Sequence, residues 1–307
     1  MRILHDSRSA SRPRLDPEVL AERSDSDHRE QDLAVPTDLS CWPGHFPEQP
    51  ILPGVLEIDW AMKLLSTWVG GDAWPRRIER LKFKQLVRPG EKLTLALERE
   101  ASGGAFRFQF TRGGTPISLG RLVLEPAGNL PGDAGNGPPP EPSSSSSFPA
   151  GSSFASVAEL PPVAQILPQS GAMVLLDRVA SHARSGTVCS ARIGEHSIFT
   201  VPSGAVPAWM GLEYMSQCIA AHAGLLGREH AEPPRVGFLV GTRCMTLRTR
   251  RFRSGQTLIV QAGQCWGGTQ GMVAFDGSIR DADSGALLAD GRLNCFIPGH
   301  DAVAGDA

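Results

Sequence analysis

Between Pro126 and Ser153 the chain reads PAGNLPGDAGNGPPPEPSSSSSFPAGSS, in which 19 of 28 residues are Pro, Gly or Ser. Such a stretch buries almost no apolar surface and cannot offset the entropy of ordering it, so it reads as a linker over 126–156. Residues 1–14 are polar and patternless and read as a disordered tail. Folded structure is thereby confined to two segments, 15–125 and 157–300, each the size of an ordinary domain. A coil of about 30 residues reaches roughly 30 Å, far enough for the two segments to pair within one chain.

Both segments follow one plan. In the first, Pro53 opens an apolar run from Gly54 to Trp68 that Gly70-Gly71 closes, which predicts a buried helix. The pattern then alternates: Leu81/Phe83, Leu93/Leu95/Leu97, Phe106/Phe108/Phe110 and Leu119–Leu124. Pro89-Gly90, Gly103-Gly104 and Gly113-Gly114 separate these runs, as in antiparallel hairpins. In the second, strand-like text over Met173–Val179 and Thr187–Ile193 precedes a helix predicted over Pro207–Leu226. Strands are expected after it over Arg243–Arg253, Thr257–Cys265, Gly271–Arg280 and Ala286–Phe296. One buried helix wrapped by an antiparallel sheet, occurring twice, is an α+β arrangement. Setting Asp59 on Glu213 aligns Val55–Trp60 with Trp209–Tyr214 and puts a carboxylate at the same place in each helix.

Composition narrows the classes of function. A net charge of −2 argues against a general nucleic-acid binder held by phosphate contacts. No run of 18 apolar residues is present, and the N-terminus has no apolar signal core, so neither a membrane span nor a secretory signal is expected. The six cysteines form no CxxC pair and read as free thiols of a cytoplasmic protein, not as a metal or disulfide framework. No HxxxH or HExxH pair and no glycine-rich nucleotide loop occurs, so no metal or cofactor is expected.

An acid on an otherwise apolar helix is costly unless it is paired or protonated. For Asp59, close to the helix start, a helix-end contact is the plain alternative. The approach to the first helix, Trp42-Pro43-Gly44-His45-Phe46-Pro47-Glu48-Gln49-Pro50-Ile51-Leu52-Pro53-Gly54, fixes His45 in a rigid loop just before a helix N-terminus. A constrained histidine, helix-start amides and buried carboxylates form an acid–base site with an anion-stabilising end.

The segment from Gly44 to Val55 resembles the active-site loop of the 3-hydroxyacyl-[acyl-carrier-protein] dehydratases, which have the hotdog fold. In that family the catalytic acid follows the histidine by fourteen residues, as Asp59 follows His45. Ile58-Asp59-Trp60-Ala61 is more similar to a dehydratase subunit of bacterial aryl polyene biosynthesis. Leu167–Val179 and Val206–Gln217 resemble the partner subunit of those pathways. The resemblance implies two tandem hotdog domains paired as an intrachain pseudo-dimer, a natural fusion of the two subunits.

What the resemblance further implies is a hydro-lyase that converts a 3-hydroxyacyl thioester on an acyl carrier protein to the trans-2-enoyl thioester, in fatty-acid or aryl-polyene-type synthesis. His45 would take the C2 proton, the Gly54 amide would meet the thioester oxygen, and a carboxylate would serve the leaving hydroxyl. Family dimers draw histidine and carboxylate from different subunits. Phe199 stands fourteen residues before Glu213, where a histidine would be needed, and His196 is three positions off. One complete site, His45 with Glu213, is therefore expected, and Asp59 is left opposite Phe199 as an uncompensated acid. The carrier protein would meet a basic face from Arg80, Lys82 and Lys84 and from Arg248, Arg250, Arg251 and Arg253, although a solvated face reads the same way. Further homodimerisation stays open. The rival readings are a hotdog acyl thioesterase, hydration of an enoyl-CoA in the reverse direction and a non-catalytic scaffold holding a carrier-bound chain.

Overall fold

The computed structural model describes residues 12–71, 73–101, 103–124, 160–195, 197–267 and 271–298. The linker expected over 126–156 and His196 lie outside the described residues. The first half runs β1 (Glu18–Ser24), β2 (His28–Ala34), α1 (Gly54–Val69), β3 (Pro75–Phe83), β4 (Lys92–Arg99), β5 (Ala105–Arg112) and β6 (Thr115–Leu124). The second runs β7 (Arg178–Ala183), β8 (Gly186–Arg192), β9 (Val206–Pro207), α2 (Gly211–Arg228), β10 (Phe238–Leu247), β11 (Arg251–Phe252), β12 (Thr257–Gly267), β13 (Met272–Asp281) and β14 (Leu287–Phe296).

Twelve strands form one antiparallel sheet in the order β1-β2-β4-β5-β6-β3-β10-β14-β13-β12-β8-β7. The order is a palindrome of roles: β3 and β10 are the inner strands of two six-stranded halves, and they pair with each other from Gly241↔Lys82 to Thr246↔Arg77. Each half folds its sheet around its own helix, as the repeated pattern in the sequence implies. α1 buries Val55, Leu56, Ile58, Trp60, Ala61, Met62, Leu64 and Leu65 and ends on Gly70 in the left-handed conformation. The phenylalanines Phe106, Phe108 and Phe110 of β5 face this helix side of the sheet from alternate positions and are fully buried.

Three local expectations are corrected. Residues 171–173 form a 3₁₀ turn and the strand starts only at Arg178. The reason is Gln217 of α2, which donates to the Met173 carbonyl and accepts from the Leu175 amide, taking the hydrogen bonds that a strand partner would supply. α2 begins at Gly211 and not at Pro207, because Val206–Pro207 pairs with Arg251–Phe252. That same pairing divides the single strand expected over Arg243–Arg253 into β10 and β11.

The hairpin β1–β2 had no counterpart in the sequence reading. β1 is exposed along its whole length, so no apolar alternation marks it. Its backbone ladder with β2 holds it, with Arg23 reaching both Glu30 and Asp32 across the pair. Its turn is closed by Asp25, which accepts from the amides of Asp27 and His28. Arg14 is also fixed to the domain, through Asp38 and the Ser40 hydroxyl.

Candidate active site

The loop that carries His45 lies between the halves. Gly44 accepts from the Ser170 amide of the second half, and the Ser170 hydroxyl donates to the Pro43 carbonyl. A Cβ on Gly44 would stand 2.2 Å from the Ser170 carbonyl oxygen, so only glycine permits this approach. His45 is 8% exposed, and its Nδ1 lies 2.9 Å from the Ile51 carbonyl oxygen. A carbonyl can only accept, so Nδ1 carries the proton of the neutral ring and Nε2 keeps its lone pair. The ring stacks on Phe46 with centroids 4.3 Å apart.

One cavity, with about 950 Å³ of empty space partly open to solvent, is walled by both halves. His45, Gly54, Val55 and Glu57 come from the first half; Gln169, Glu213 and Ser216 come from the second. The cavity thus brings His45, Glu213 and Gly54 together. α1 has no side-chain cap, so its first amides, including that of Gly54, start the helix at the cavity wall. Glu213 is 6% exposed. Burial pushes its pKa up, and the nearby His45 and the amides of Gln217 and Gln169 pull it partly back.

Two amides hold this carboxyl, and the sequence reading assigned a role to neither. Gln217, one turn along α2, donates to Glu213 Oε1 at 2.9 Å. Gln169 donates to the same oxygen at 3.5 Å, while its own Oε1 is buried and has no hydrogen-bond partner among the described residues. Turned over, the Gln169 amide would offer that oxygen to a protonated Glu213. The signal in the sequence was the spacing Glu213-x-x-x-Gln217, which puts both on one helix face.

Asp59 is not in the cavity wall. It accepts from Trp209 Nε1 of the second half at 3.1 Å and is ion-paired with Lys63 at 2.8 Å, and Lys63 also reaches Asp16. The expectation of an uncompensated acid is therefore corrected: Asp59 is buried but paired. Phe199 is itself buried at 3% exposure.

A second, shallower groove follows the β3–β10 junction and shares Phe83, Gln85, Leu86, Phe238 and Leu239 with the cavity. Arg80, Lys82, Lys84 and Arg243 line it. The other basic residues named from the sequence lie apart from this groove. Arg248 is ion-paired with Asp290, Arg250 stands over the Trp74 ring, and Arg251 belongs to β11. Among the described residues no group of three His, Cys, Asp or Glu is gathered as a metal site, and no helix is long and apolar enough to cross a membrane.

Two family models match the chain: the ApeI-like model, described as ApeI dehydratase, over residues 21–121, and the ApeP-like model, described as ApeP dehydratase, over residues 161–304. The 3-hydroxyacyl-[acyl-carrier-protein] dehydratase FabZ of Clostridium novyi is 42% identical over 62 residues, 18% of this chain and 44% of its own. FabZ of Granulibacter bethesdensis is 35% identical over 96 residues, 28% of this chain and 54% of its own. The chain thus spans about half the length of the curated relatives it matches. Among solved structures, the dehydratase domain of RzxB from Pseudomonas fluorescens superposes with a TM-score of 0.62 at 16% identity, covering 92% of this chain and 99% of that one. That likeness is one of fold, a double hotdog.

Proposed function

Because this chain belongs to the hotdog-fold dehydratases, an ApeI-like domain joined to an ApeP-like one, we propose that it removes water from a 3-hydroxyacyl thioester borne on an acyl carrier protein. The product would be the trans-2-enoyl thioester, within a fatty-acid or aryl-polyene-type synthesis in the cytoplasm. The observation that carries the reading is the cavity walled by His45 from one half and Glu213 from the other.

His45 Nε2 takes the C2 proton of the substrate, Nδ1 being tied to the Ile51 carbonyl. The electron pair released by C2 passes toward the thioester carbonyl, whose oxygen gains charge next to the Gly54 amide at the start of α1. As that pair returns to form the C2–C3 double bond, the C3–O bond breaks. Glu213, whose pKa burial raises, delivers a proton so that the hydroxyl leaves as water. The histidinium then returns a proton to Glu213 through solvent. Asp59, engaged with Lys63 and Trp209, takes no part.

The basic groove beside the cavity supports a carrier protein as partner, since carrier surfaces are acidic and opposite charge steers docking. The test is incubation with a 3-hydroxyacyl carrier protein followed by intact-protein mass spectrometry. Loss of one water with the thioester intact is the expected result. Release of the free acid would make the chain a thioesterase, and an unchanged substrate would leave a scaffold.

A further inference from the structure

The cavity holds a second buried carboxyl, and the dehydration steps above do not use it. Glu57 sits on α1 one turn beyond Gly54, about 4.5 Å along the helix axis. It is 3% exposed, its Oε2 accepts from the Ser118 hydroxyl of β6, and it belongs to the wall of the cavity that contains His45. Among the described residues no lysine or arginine is paired with it. Burial lifts its pKa to about 7, with the Ser118 hydroxyl pulling it partly back.

The fold itself does not require an acid there. In the register that sets Asp59 on Glu213, the residue equivalent to Glu57 is Gly211, packed against Ile279, Phe252 and Met245 in an apolar setting. A Cβ on Gly211 would stand 2.9 Å from Ile279 Cδ1. The half that lacks the histidine thus fills this position with hydrocarbon, and the half that has it places a carboxyl on the cavity wall. The cavity wall that includes Glu57 is largely apolar, with Val55, Phe83 and Leu86 among its residues, and also carries Gln85 and Arg235. Burying an acid beside such a wall is costly, and the Ser118 hydroxyl meets one of its two oxygens.

We propose that Glu57, held by Ser118, determines specificity in the acyl channel by accepting a hydrogen bond from a hydroxyl on the substrate tail, beyond the C3 hydroxyl that is eliminated. A wall built to hydrogen-bond a substrate group leaves its own acceptor unsatisfied when that group is missing, so an all-hydrocarbon tail is disfavoured and not merely tolerated. The inference rests on the dehydratase reading and deepens it by naming the class of acyl group.

The experiment is a homologous series of medium-chain 3-hydroxyacyl pantetheine thioesters, each made with and without a terminal hydroxyl and assayed with the unaltered chain and with Glu57→Leu. The unaltered chain is expected to prefer the hydroxylated member at the fitting length by at least about tenfold in kcat/KM, carried by KM, the size of one hydrogen bond. Glu57→Leu is expected to abolish that preference and to improve turnover of the plain chains. Glu57→Gln keeps a partner for Ser118 and should shift the preference in the same direction, so a leucine variant that does not fold still leaves the question decided. An unchanged ratio in the variants overturns the assignment of Glu57 while the dehydratase reading stands. Absence of dehydration with every substrate overturns that reading, and the inference with it.

Discussion

With Nδ1 of His45 donating to the Ile51 carbonyl, an asparagine in its place can still reach that carbonyl but offers no basic nitrogen to the cavity. His45→Asn is expected to fold normally and to lose dehydration by at least about 10². The two helix carboxyls should then part company. Glu213→Gln removes the proposed proton donor and is expected to cost about 10²–10⁴ in rate. Asp59→Asn breaks one arm of the Lys63 pair and is expected to leave the rate within a few-fold, while lowering stability by about 1 kcal/mol, the scale of a partly exposed ion pair. Parallel rate assays and urea melts decide it; loss of turnover in Asp59→Asn with turnover kept in Glu213→Gln would reverse the assignment. Glu57 adds a pH signature. Its folded pKa of about 7 exceeds the usual 4.5, so between those values the native state holds more protons than the unfolded state. Stability therefore falls as pH rises through that window and is unaffected below it. Relative to Glu57→Gln, the unaltered chain should lose on the order of 3 kcal/mol between about pH 4.5 and 7, read from urea midpoints.

At the scale of elements, the junction of β3 and β10 depends on one residue. Gly241 has φ 151°, and a Cβ there would lie 2.0 Å from the Leu81 carbonyl oxygen across the strand pair. Gly241→Ala is expected to destabilise the chain by about 3 kcal/mol or more, seen as a fall in Tm, and a Tm within a degree or two of the original would show that the junction yields. The elements that announce themselves in the sequence are those with one apolar face or none exposed: α1, with its Pro53 opening and Gly70 stop, and β4–β6, with alternating Leu and Phe. β1–β2 stayed hidden because β1 is exposed along its length and β2 buries only Leu33, so the backbone ladder and cross-strand charge hold the hairpin without an apolar alternation to mark it. The break between β10 and β11 was equally silent, since it comes from a pairing with Val206–Pro207 some forty residues away. In the cavity, His45, Glu213 and Gly54 could be picked out by loop chemistry and helix position. Gln217 was legible only as a spacing of four from Glu213; Gln169 was not, because its contact with Glu213 spans 44 residues of chain, and Glu57 was masked by the apolar run around it.

For the whole molecule, the halves should act as separable partners. Residues 15–125 and 157–300 made as separate chains are expected to be inactive singly and to regain activity when mixed, because the cavity needs side chains of both. Full activity from the first half alone would mean that it supplies its own acid. Carrier docking is tested by Lys82→Glu with Lys84→Glu, which reverses charge in the groove without touching the cavity wall. KM for a carrier-bound substrate should rise several-fold, while KM for a short pantetheine thioester stays level. Added salt should shrink the difference, since exposed charges are screened beyond about 10 Å at 0.1 M. Equal effects on both substrates would instead indicate a disturbed fold.

The pairing of β3 with β10 also governs stoichiometry. Each inner strand already has its neighbour in the same polypeptide, and the strands left at the edges of the sheet are β1 and β7. Two separate chains of these types could sort into like and unlike pairs according to their concentrations. Here the ratio of the two kinds of domain is written into the reading frame, and dilution cannot alter it. An active-site titration would accordingly count one equivalent per polypeptide at every protein concentration.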